Sequence, residues 1–236
     1  MPEPVLIGLI DSGVAASQTA YVAKERRFYW DTLGQIATGV AVPDRLAHGS
    51  MLADILLAYA PQARVLNAQV FDGARASTPA VIAAALDWAV AEGARVANLS
   101  LGLREDRPVL RRACEAAIAA GILLVCSVPA RGGPVYPAAY AGLLRVCGDA
   151  RCEPGQLSAL PEGPAHLGAC PHPHGAALTA SANGGASLGA AHVTGLLAAF
   201  FVAHPHATRR EAVQHLEGLC RFQGRERRDS PGLPSD

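Results

Sequence analysis

Large aromatic rings and charged side chains are both scarce in this sequence of 236 residues. Phe, Trp and Tyr make up 5% of the chain and charged residues 17%, whereas half of all residues are hydrophobic. The core must therefore be built from Ala, Val, Leu and Ile, which suits helices packed tightly on a parallel sheet. At this length we expect one well-buried α/β domain, because domains commonly run to roughly 100–200 residues.

An excess of either charge is also missing. Twenty basic residues balance twenty acidic ones, so the chain has no global field that would attract nucleic acid or an anionic membrane surface. The N-terminus lacks the basic stretch, long apolar run and cleavage site of a secretory signal, and we expect no apolar stretch of about 18 uncharged residues. The default expectation is a soluble cytoplasmic protein of unknown oligomeric state.

Six cysteines, at positions 114, 126, 147, 152, 170 and 220, leave several interpretations open. Four lie in apolar segments, where a buried free thiol is the ordinary state, and a disulfide framework is the alternative. Cys170 is followed by His172 and His174, and Cys147 and Cys152 are further candidate ligands, so a metal-binding regulator is one hypothesis. Their spacing matches no compact zinc signature.

Short apolar runs alternate with longer helical patterns from residue 4 to about residue 147. This alternation is typical of βαβ units and predicts helices packed on a parallel sheet. One helix is especially well marked: STPAVIAAALDWAVAEG has a Ser or Thr cap, a Pro in its first turn and a closing Gly.

The C-terminal part of the chain has a different pattern. Residues 148–186 are rich in Gly, Pro, Ala and His with little periodicity, which predicts loops and short strands over one end of the sheet. An apolar helix is predicted to begin at Ser187, and a last helix follows in the segment HPHATRREAVQHLEGLC. We therefore predict one domain over 1–220 and a polar tail over 221–236 that frays.

Three residues stand at the ends of predicted elements, where the scaffold holds a side chain that stays accessible. Asp11 closes the first strand, His48 opens a helix, and Ser187 opens another soon after two glycines. A serine hydroxyl becomes a nucleophile when a neighbouring base takes its proton, and a carboxylate fixes the tautomer of that base. Each residue alone could be a turn or cap residue. Together they form a candidate nucleophilic triad.

The sequence around these residues resembles the subtilase family of serine peptidases. IGLIDSGV is similar to the family's Asp motif, HGSMLADIL to its HGTHVAGI-type His motif, and GASLGAAHVTG to its GTSMAAPHVAG Ser motif. Between them, VANLSLG is similar to the family's NMSLG strand. The order Asp, His, Ser is that of subtilisin, and the matches run in the family's order from about residue 4 to about residue 205.

This resemblance implies a subtilisin-like α/β fold of three layers, with a central, mostly parallel sheet flanked by helices. It implies a serine endopeptidase that forms an acyl-enzyme on the three triad residues. It also implies that Ser100, Leu101 and Gly102 bind an extended peptide substrate through their backbone. Calcium is common in the family, but its loop ligands cannot be traced in this sequence, so we expect no required metal or cofactor.

Several positions depart from the family's pattern, among them Ala191, where the family's Ser motif has Pro. The family's AAAGN strand supplies an Asn amide to the oxyanion, and alignment on the segment GPVYPAAY places Ala130 at that position. In the Ser motif, the family's Thr before the nucleophile is Ala186. The backbone N–H of Ser187, at a helix N-terminus, is the half of the oxyanion hole that remains. Candidate replacement donors close in sequence are Ser127, Arg131 and Asn183.

Two main hypotheses from different classes follow. The first is a cytoplasmic serine endopeptidase, slow or narrow in specificity because the amide is replaced, that processes a peptide precursor. The second is a pseudo-peptidase that binds an extended peptide along residues 100–102 without cleaving it. The metal-binding regulator is the third.

Overall fold

The computed structural model describes residues 3–73, 76–174 and 185–225. Its strands, in chain order, are β1 (Leu6–Asp11), β2 (Val22–Trp30), β3 (Ile36–Gly39), β4 (Arg64–Gln69), β5 (Val96–Leu99), β6 (Leu123–Ser127), β7 (Leu144–Gly148), β8 (Leu157–Ala159), β9 (Leu167–Ala169) and β10 (Cys220–Gln223). Its α-helices are α1 (His48–Tyr59), α2 (Pro79–Ala91), α3 (Pro108–Ala119), α4 (Gly185–Ala203) and α5 (Arg209–Gly218).

Within the described residues these strands form one sheet, in the order β10-β8-β9-β7-β6-β5-β1-β4-β2-β3. Neighbouring strands are parallel except at two places, where β8 pairs antiparallel with β9 and β2 with β3. The mostly parallel α/β sheet that the sequence predicts is therefore confirmed.

Helices cover both faces of the sheet. On β1, Leu9 packs into the core beneath α1, α4 and α5, whereas the next residue, Ile10, packs into the core beneath α2 and α3. Successive side chains of a strand point to opposite faces, so a strand buried on both faces reads as a continuous apolar run. The three-layer architecture is confirmed. The run VLIGLI is the sequence pattern that indicates it most clearly.

The sequence pattern does not predict the hairpin of β2 and β3. Strand β2 reads VAKERRFYW, with four consecutive charged residues in place of an apolar alternation, the first three exposed and Arg27 half-buried. It pairs in parallel with β4, and its one fully buried side chain, Phe28, packs in the core beside Trp88. A single buried ring after a charged run gives no apolar alternation, so the sequence pattern does not reveal this strand.

The C-terminal boundary also differs from the expectation. The predicted tail over 221–236 begins inside β10, which pairs with β8 and adds an edge to the sheet. The guanidinium of Arg151 lies over the ring of Phe222 and donates to the carbonyl of Gly224 at 2.7 Å. These contacts hold a segment whose polar sequence predicted fraying. Residues 226–236 lie outside the described part of the chain.

Helix α4 shows that the expectation of no apolar stretch of about 18 uncharged residues is wrong. It spans 19 residues without a charged side chain, and by length and composition it could cross a membrane, alone among the described helices. Most of it is buried inside the fold, where it packs on α1 and on strands β5, β6 and β7. That packing is typical of a core helix. Its described part starts at Gly185, so the helix already includes the two residues before its predicted start.

Two glycines bring α4 close to its neighbours. A Cβ at position 189 would lie 2.8 Å from the carbonyl oxygen of Cys147 in β7, and one at position 195 would lie 2.7 Å from the ring of Tyr59 in α1. Only glycine permits approaches this close. Gly189 therefore sets how closely α4 packs on the sheet and Gly195 how closely it packs on α1, and together they fix the position of Ser187 in the first turn.

We expect Gly189→Ala to lower the free energy of unfolding by about 1–3 kcal/mol, because the added methyl would overlap a strand carbonyl in a packed core. The matched control is Gly218→Ala at the end of α5, where a Cβ meets nothing within 4 Å. Ala favours a helix over Gly, so this control should be neutral or slightly stabilised. Urea unfolding followed by circular dichroism compares the two, and equal stabilities would contradict the packing argument.

Candidate active site

The carboxyl ends of β5, β1 and β4 meet at the middle of the sheet. Asp11 ends β1, Gln69 ends β4, and Ser100 follows β5 directly. Ligands of open α/β sheets bind outside the carboxyl ends of such strands. A cleft of about 420 Å³ opens at this edge. The predicted site residues that line it are Asp11, His48, Ser100, Leu101 and Gly102, beside the apolar side chains of Leu46, Phe71, Ile82 and Leu103.

Asp11 and His48 form a hydrogen bond of 2.7 Å between Oδ1 and Nδ1. The carboxylate is 1% exposed, whereas the imidazole is 24% exposed and lines the cleft. An ionised carboxylate only accepts hydrogen bonds, so Nδ1 carries the ring proton and Nε2 keeps its lone pair. His48 is thus held in the tautomer that a general base requires.

The turn after β1 fixes this pair. Ser12 donates to Oδ1 of Asp11 from its backbone N–H at 2.8 Å and from its hydroxyl at 3.2 Å, and that hydroxyl accepts the N–H of Gly49 at 2.9 Å. A Cβ on Gly49 would overlap the carbonyl oxygen of Gly13. Because the first turn of α1 packs directly on this turn, the separation of His48 from the carboxylate is set by backbone contact.

Gln69 supports the same turn, and sequence analysis gave it no role. Its side-chain amide donates to the carbonyl of Ser12 at 2.7 Å and to that of Val42 at 2.9 Å. Its Oε1 accepts the N–H of Val42 at 2.8 Å. The buried amide therefore clamps the turn after β1 to the loop that leads into α1. A polar residue at the end of an apolar strand was the available signal.

Asp44 caps α1 from the same loop and was also missed. Its Oδ1 accepts the backbone N–H groups of Leu46 and Ala47, and its Oδ2 accepts the N–H and hydroxyl of Ser50 at 2.9 and 2.7 Å. Burial alone would raise the pKa of Asp44, but these hydrogen bonds outweigh it and lower that pKa below its ordinary value. Ala47 adopts φ 55°, a left-handed conformation uncommon for a residue other than Gly.

Ser187 lies in the first turn of α4 and is half-buried. Its carbonyl accepts a hydrogen bond of 3.3 Å from the hydroxyl of Ser100, which lines the cleft. The described contacts thus connect both Ser187 and the Asp11–His48 pair to one cleft. Proton-transfer contact between His48 and the Ser187 hydroxyl stays a prediction.

Comparison with known proteins identifies the family of the chain. The sequence profile of the subtilase family matches residues 3–218. The chain belongs to the subtilase family. It is 27% identical over 151 residues, 59% of its length, to the thermostable alkaline protease of Halalkalibacterium halodurans. Over 159 residues, 60% of its length, it is 28% identical to subtilisin DY of Bacillus licheniformis. The matches cover 40% and 55% of these two proteins, less than two thirds of either.

A solved structure gives the same fold. A protease of Pseudoalteromonas arctica superposes with a TM-score of 0.67 over 93% of this chain and 86% of its own, at 18% sequence identity. At that identity the likeness establishes the architecture alone. The subtilisin-like fold that the motifs imply is confirmed.

The expected substrate-binding residues line the central cleft, whereas the expected oxyanion position lines a different cavity. Strand β5 ends at Leu99, so Ser100 and the two residues after it lie just beyond the strand that was expected to contain them. Ala130 and Arg131 lie in the exposed segment after β6 and line a separate cavity of about 290 Å³ near the end of β7. Ser127 is the last residue of β6. Asn183 lies outside the described residues.

The candidate metal ligands do not come together. In the described part of the chain, no three His, Cys, Asp or Glu side chains are grouped closely enough to hold a metal ion. All six cysteines are free, and burial raises the pKa of each thiol. The free-thiol interpretation is confirmed, and the disulfide alternative is wrong.

The histidine of the Ser motif, His192, anchors α4 from within the core. Its Nε2 lies 2.8 Å from the carbonyl of His172, and its Nδ1 lies 2.8 Å from the hydroxyl of Tyr59. A carbonyl only accepts, so Nε2 carries the proton and Nδ1 accepts from Tyr59. Burial lowers the pKa of His192 below its ordinary value of 6.5, and the nearby rings of His174 and His172 add to this effect, although the bond to the His172 carbonyl opposes it.

This lowered pKa predicts a loss of stability in mild acid. Below about pH 6.5 the unfolded chain protonates at His192 while the folded chain resists it, so the contribution of His192 is complete above that pH and is lost as the pH falls. Urea unfolding at several pH values should show a shallower decline for His192→Gln than for the wild type. His206→Gln, at an exposed site, should keep the wild-type slope. Equal slopes for wild type and His192→Gln would contradict the prediction.

Proposed function

We propose that this subtilase is a serine endopeptidase of slow turnover or narrow specificity that processes a peptide substrate through an acyl-enzyme. The observation that carries the proposal is the 2.7 Å hydrogen bond between a buried carboxylate and an imidazole that lines the central cleft. That bond presents Nε2 of His48 to the cleft as a base. The chemistry then needs a nucleophile, and Ser187 is the candidate connected to the same cleft.

The proposed reaction follows from these roles. Nε2 of His48 takes the proton of the Ser187 hydroxyl while Oγ attacks the carbonyl carbon of the scissile peptide. Asp11 stabilises the imidazolium that forms. When the C–N bond breaks, the imidazolium returns its proton to the leaving amine. Water, activated by the same base, then hydrolyses the ester on Ser187 and restores the enzyme.

Slow turnover follows from the oxyanion position. In a subtilisin, loss of the side-chain donor costs about 10²–10³ in turnover, or roughly 3–4 kcal/mol. Ala130 offers no amide, so a peptidase with only the N–H of Ser187 as donor would be slowed by about this factor. Catalysis would be slowed but not abolished, because removal of the nucleophile or the base lowers turnover far more than removal of one oxyanion donor.

The cleft suits a peptide. Its apolar side chains can bury side chains of an extended substrate, and the backbone of Ser100–Gly102 can pair with the substrate's own backbone. Backbone pairing recognises a peptide without requiring a particular side chain. Net charge close to zero gives nucleic acid or an anionic membrane no electrostatic advantage.

A fluorophosphonate probe tests the proposal directly, because it traps an activated serine without requiring a known substrate. We expect labelling at Ser187, mapped by mass spectrometry, with none in Ser187→Ala and a rate lowered by more than about 10⁴-fold in His48→Ala. Circular dichroism checks that each variant is folded. Folded wild-type protein that stays unlabelled would contradict the proposal.

Ala130 also motivates a second candidate, a pseudo-peptidase that binds an extended peptide without cleaving it. The variant Ala130→Asn separates the two functions. If Ala130 stands where the donor belongs, an amide there should raise the labelling rate and peptide turnover by about tenfold or more. A peptide library that binds wild type and Ser187→Ala equally, with no cleavage by wild type or Ala130→Asn, would favour the binding protein.

A further inference from the structure

A chain of polar side chains runs through the apolar interior between β5 and the nucleophile helix α4. Asn98 and Thr194 are both 0% exposed. The hydroxyl of Thr194 lies 3.0 Å from Oδ1 of Asn98, and Nδ2 of Asn98 lies 3.0 Å from the hydroxyl of Ser100. The hydroxyl of Ser100 lies 3.3 Å from the carbonyl oxygen of Ser187. Three side chains therefore link the middle of α4 to the peptide group of the candidate nucleophile.

The chemistry of each group fixes the direction of these bonds. The Nδ2 of Asn98 can only donate, so the hydroxyl of Ser100 accepts from it and directs its own proton to the carbonyl of Ser187. The Oδ1 of Asn98 can only accept, so the proton of Thr194 points to it. That proton is shared with the carbonyl of Ala190 at 2.9 Å. The directions are consistent along the whole chain.

Thr194 is the unusual member of this chain. A threonine within a helix commonly bonds the carbonyl four residues earlier, and Thr194 does so at Ala190. Its second acceptor lies across the interface, on the neighbouring strand. In the family's Ser motif, GTSMAAPHVAG, the corresponding position is Ala, so this hydroxyl is a departure of the present sequence. The same motif departs from the pattern at Ala186, next to the nucleophile.

We propose that Asn98, Ser100 and Thr194 are positioning residues that hold the Ser187 peptide in place for its reaction. This inference rests on the proposed function. A hydrogen bond to the carbonyl of Ser187 restrains rotation of that peptide, and with it the direction of the bond from Cα to the hydroxyl-bearing Cβ. Misplacement of a reacting group by about 1 Å can cost about 10²-fold in rate. The chain acts through the nucleophile and does not touch the substrate's reacting atoms.

The matched variants are Thr194→Val and Thr194→Ser. Valine has nearly the shape of threonine but leaves Oδ1 of Asn98 without its donor, whereas serine keeps the hydroxyl. Ser100→Ala removes the last link but keeps the backbone that is expected to bind substrate. We expect Thr194→Val and Ser100→Ala to lower kcat and the fluorophosphonate labelling rate by about tenfold to 10²-fold, with KM changed less than about twofold. Thr194→Ser should restore the wild-type rate.

Hydrogen exchange adds a readout that does not depend on activity. We expect amides at residues 185–190 to exchange faster in Thr194→Val and Ser100→Ala than in the wild type, while amides of α2 and α3 keep their protection. Thr194→Ser should again match the wild type. Exchange that rises throughout the protein would mean general destabilisation and would overturn a positioning role.

The outcomes separate this inference from the proposed function. If wild-type protein reacts at Ser187 but Thr194→Val and Ser100→Ala react equally fast, the positioning inference is wrong and the peptidase stands. If wild-type protein does not react, the peptidase proposal fails. In that case, faster amide exchange confined to residues 185–190 in Thr194→Val and Ser100→Ala still supports the inference that the polar chain restrains the Ser187 peptide. Unchanged exchange in these variants overturns that inference.

Discussion

A buried carboxylate is stable in its ionised form only where donors compensate its charge, and Asp11 is 1% exposed, with its buried Oδ2 unpaired among the described residues. Three donors converge on its Oδ1, two from Ser12 and one from His48. The hydroxyl of Ser12 also accepts from Gly49, so the same group ties the start of α1 to the end of β1. The tautomer of the base, its orientation and the position of its helix all depend on this arrangement. Removal of one donor would leave a buried charge poorly compensated, which costs more than the hydrogen bond itself.

The rest of the fold brings a second helix to the same edge. Gly189 lets α4 approach the backbone of β7, and His192 ties the helix to α1 and to the segment at His172. The polar chain through Asn98 then joins α4 to the residue that follows β5. Small and buried polar residues make these contacts, and Tyr59 of α1 is an aromatic partner among them. Close backbone approach and buried hydrogen bonds together position the site.

Prediction from the sequence succeeded where local pattern and burial coincide. Helix α2 is marked by its Thr cap and Pro, and the buried strands read as apolar runs. Strand β2 could not be predicted because its run of four charged residues interrupts the apolar alternation that marks a strand. The roles of Gln69 and Asp44 depend on a loop that folds back over the turn after β1, a long-range arrangement that no local pattern encodes. Thr194 stands where the family's Ser motif has Ala, but sequence analysis gave it no role, because its partner Asn98 lies 96 positions earlier in the chain.

Proton transfer from the serine to the imidazole is the step on which the account depends. A crystal structure of the protein, free and after reaction with a fluorophosphonate, measures the distance that matters. The account predicts Nε2 of His48 about 2.6–3.2 Å from Oγ of Ser187, or joined to it by a single rotamer change, with Nδ1 still bonded to Asp11. An imidazole directed away from residue 187 in both structures, with no rotamer able to bring the two groups together, would contradict it.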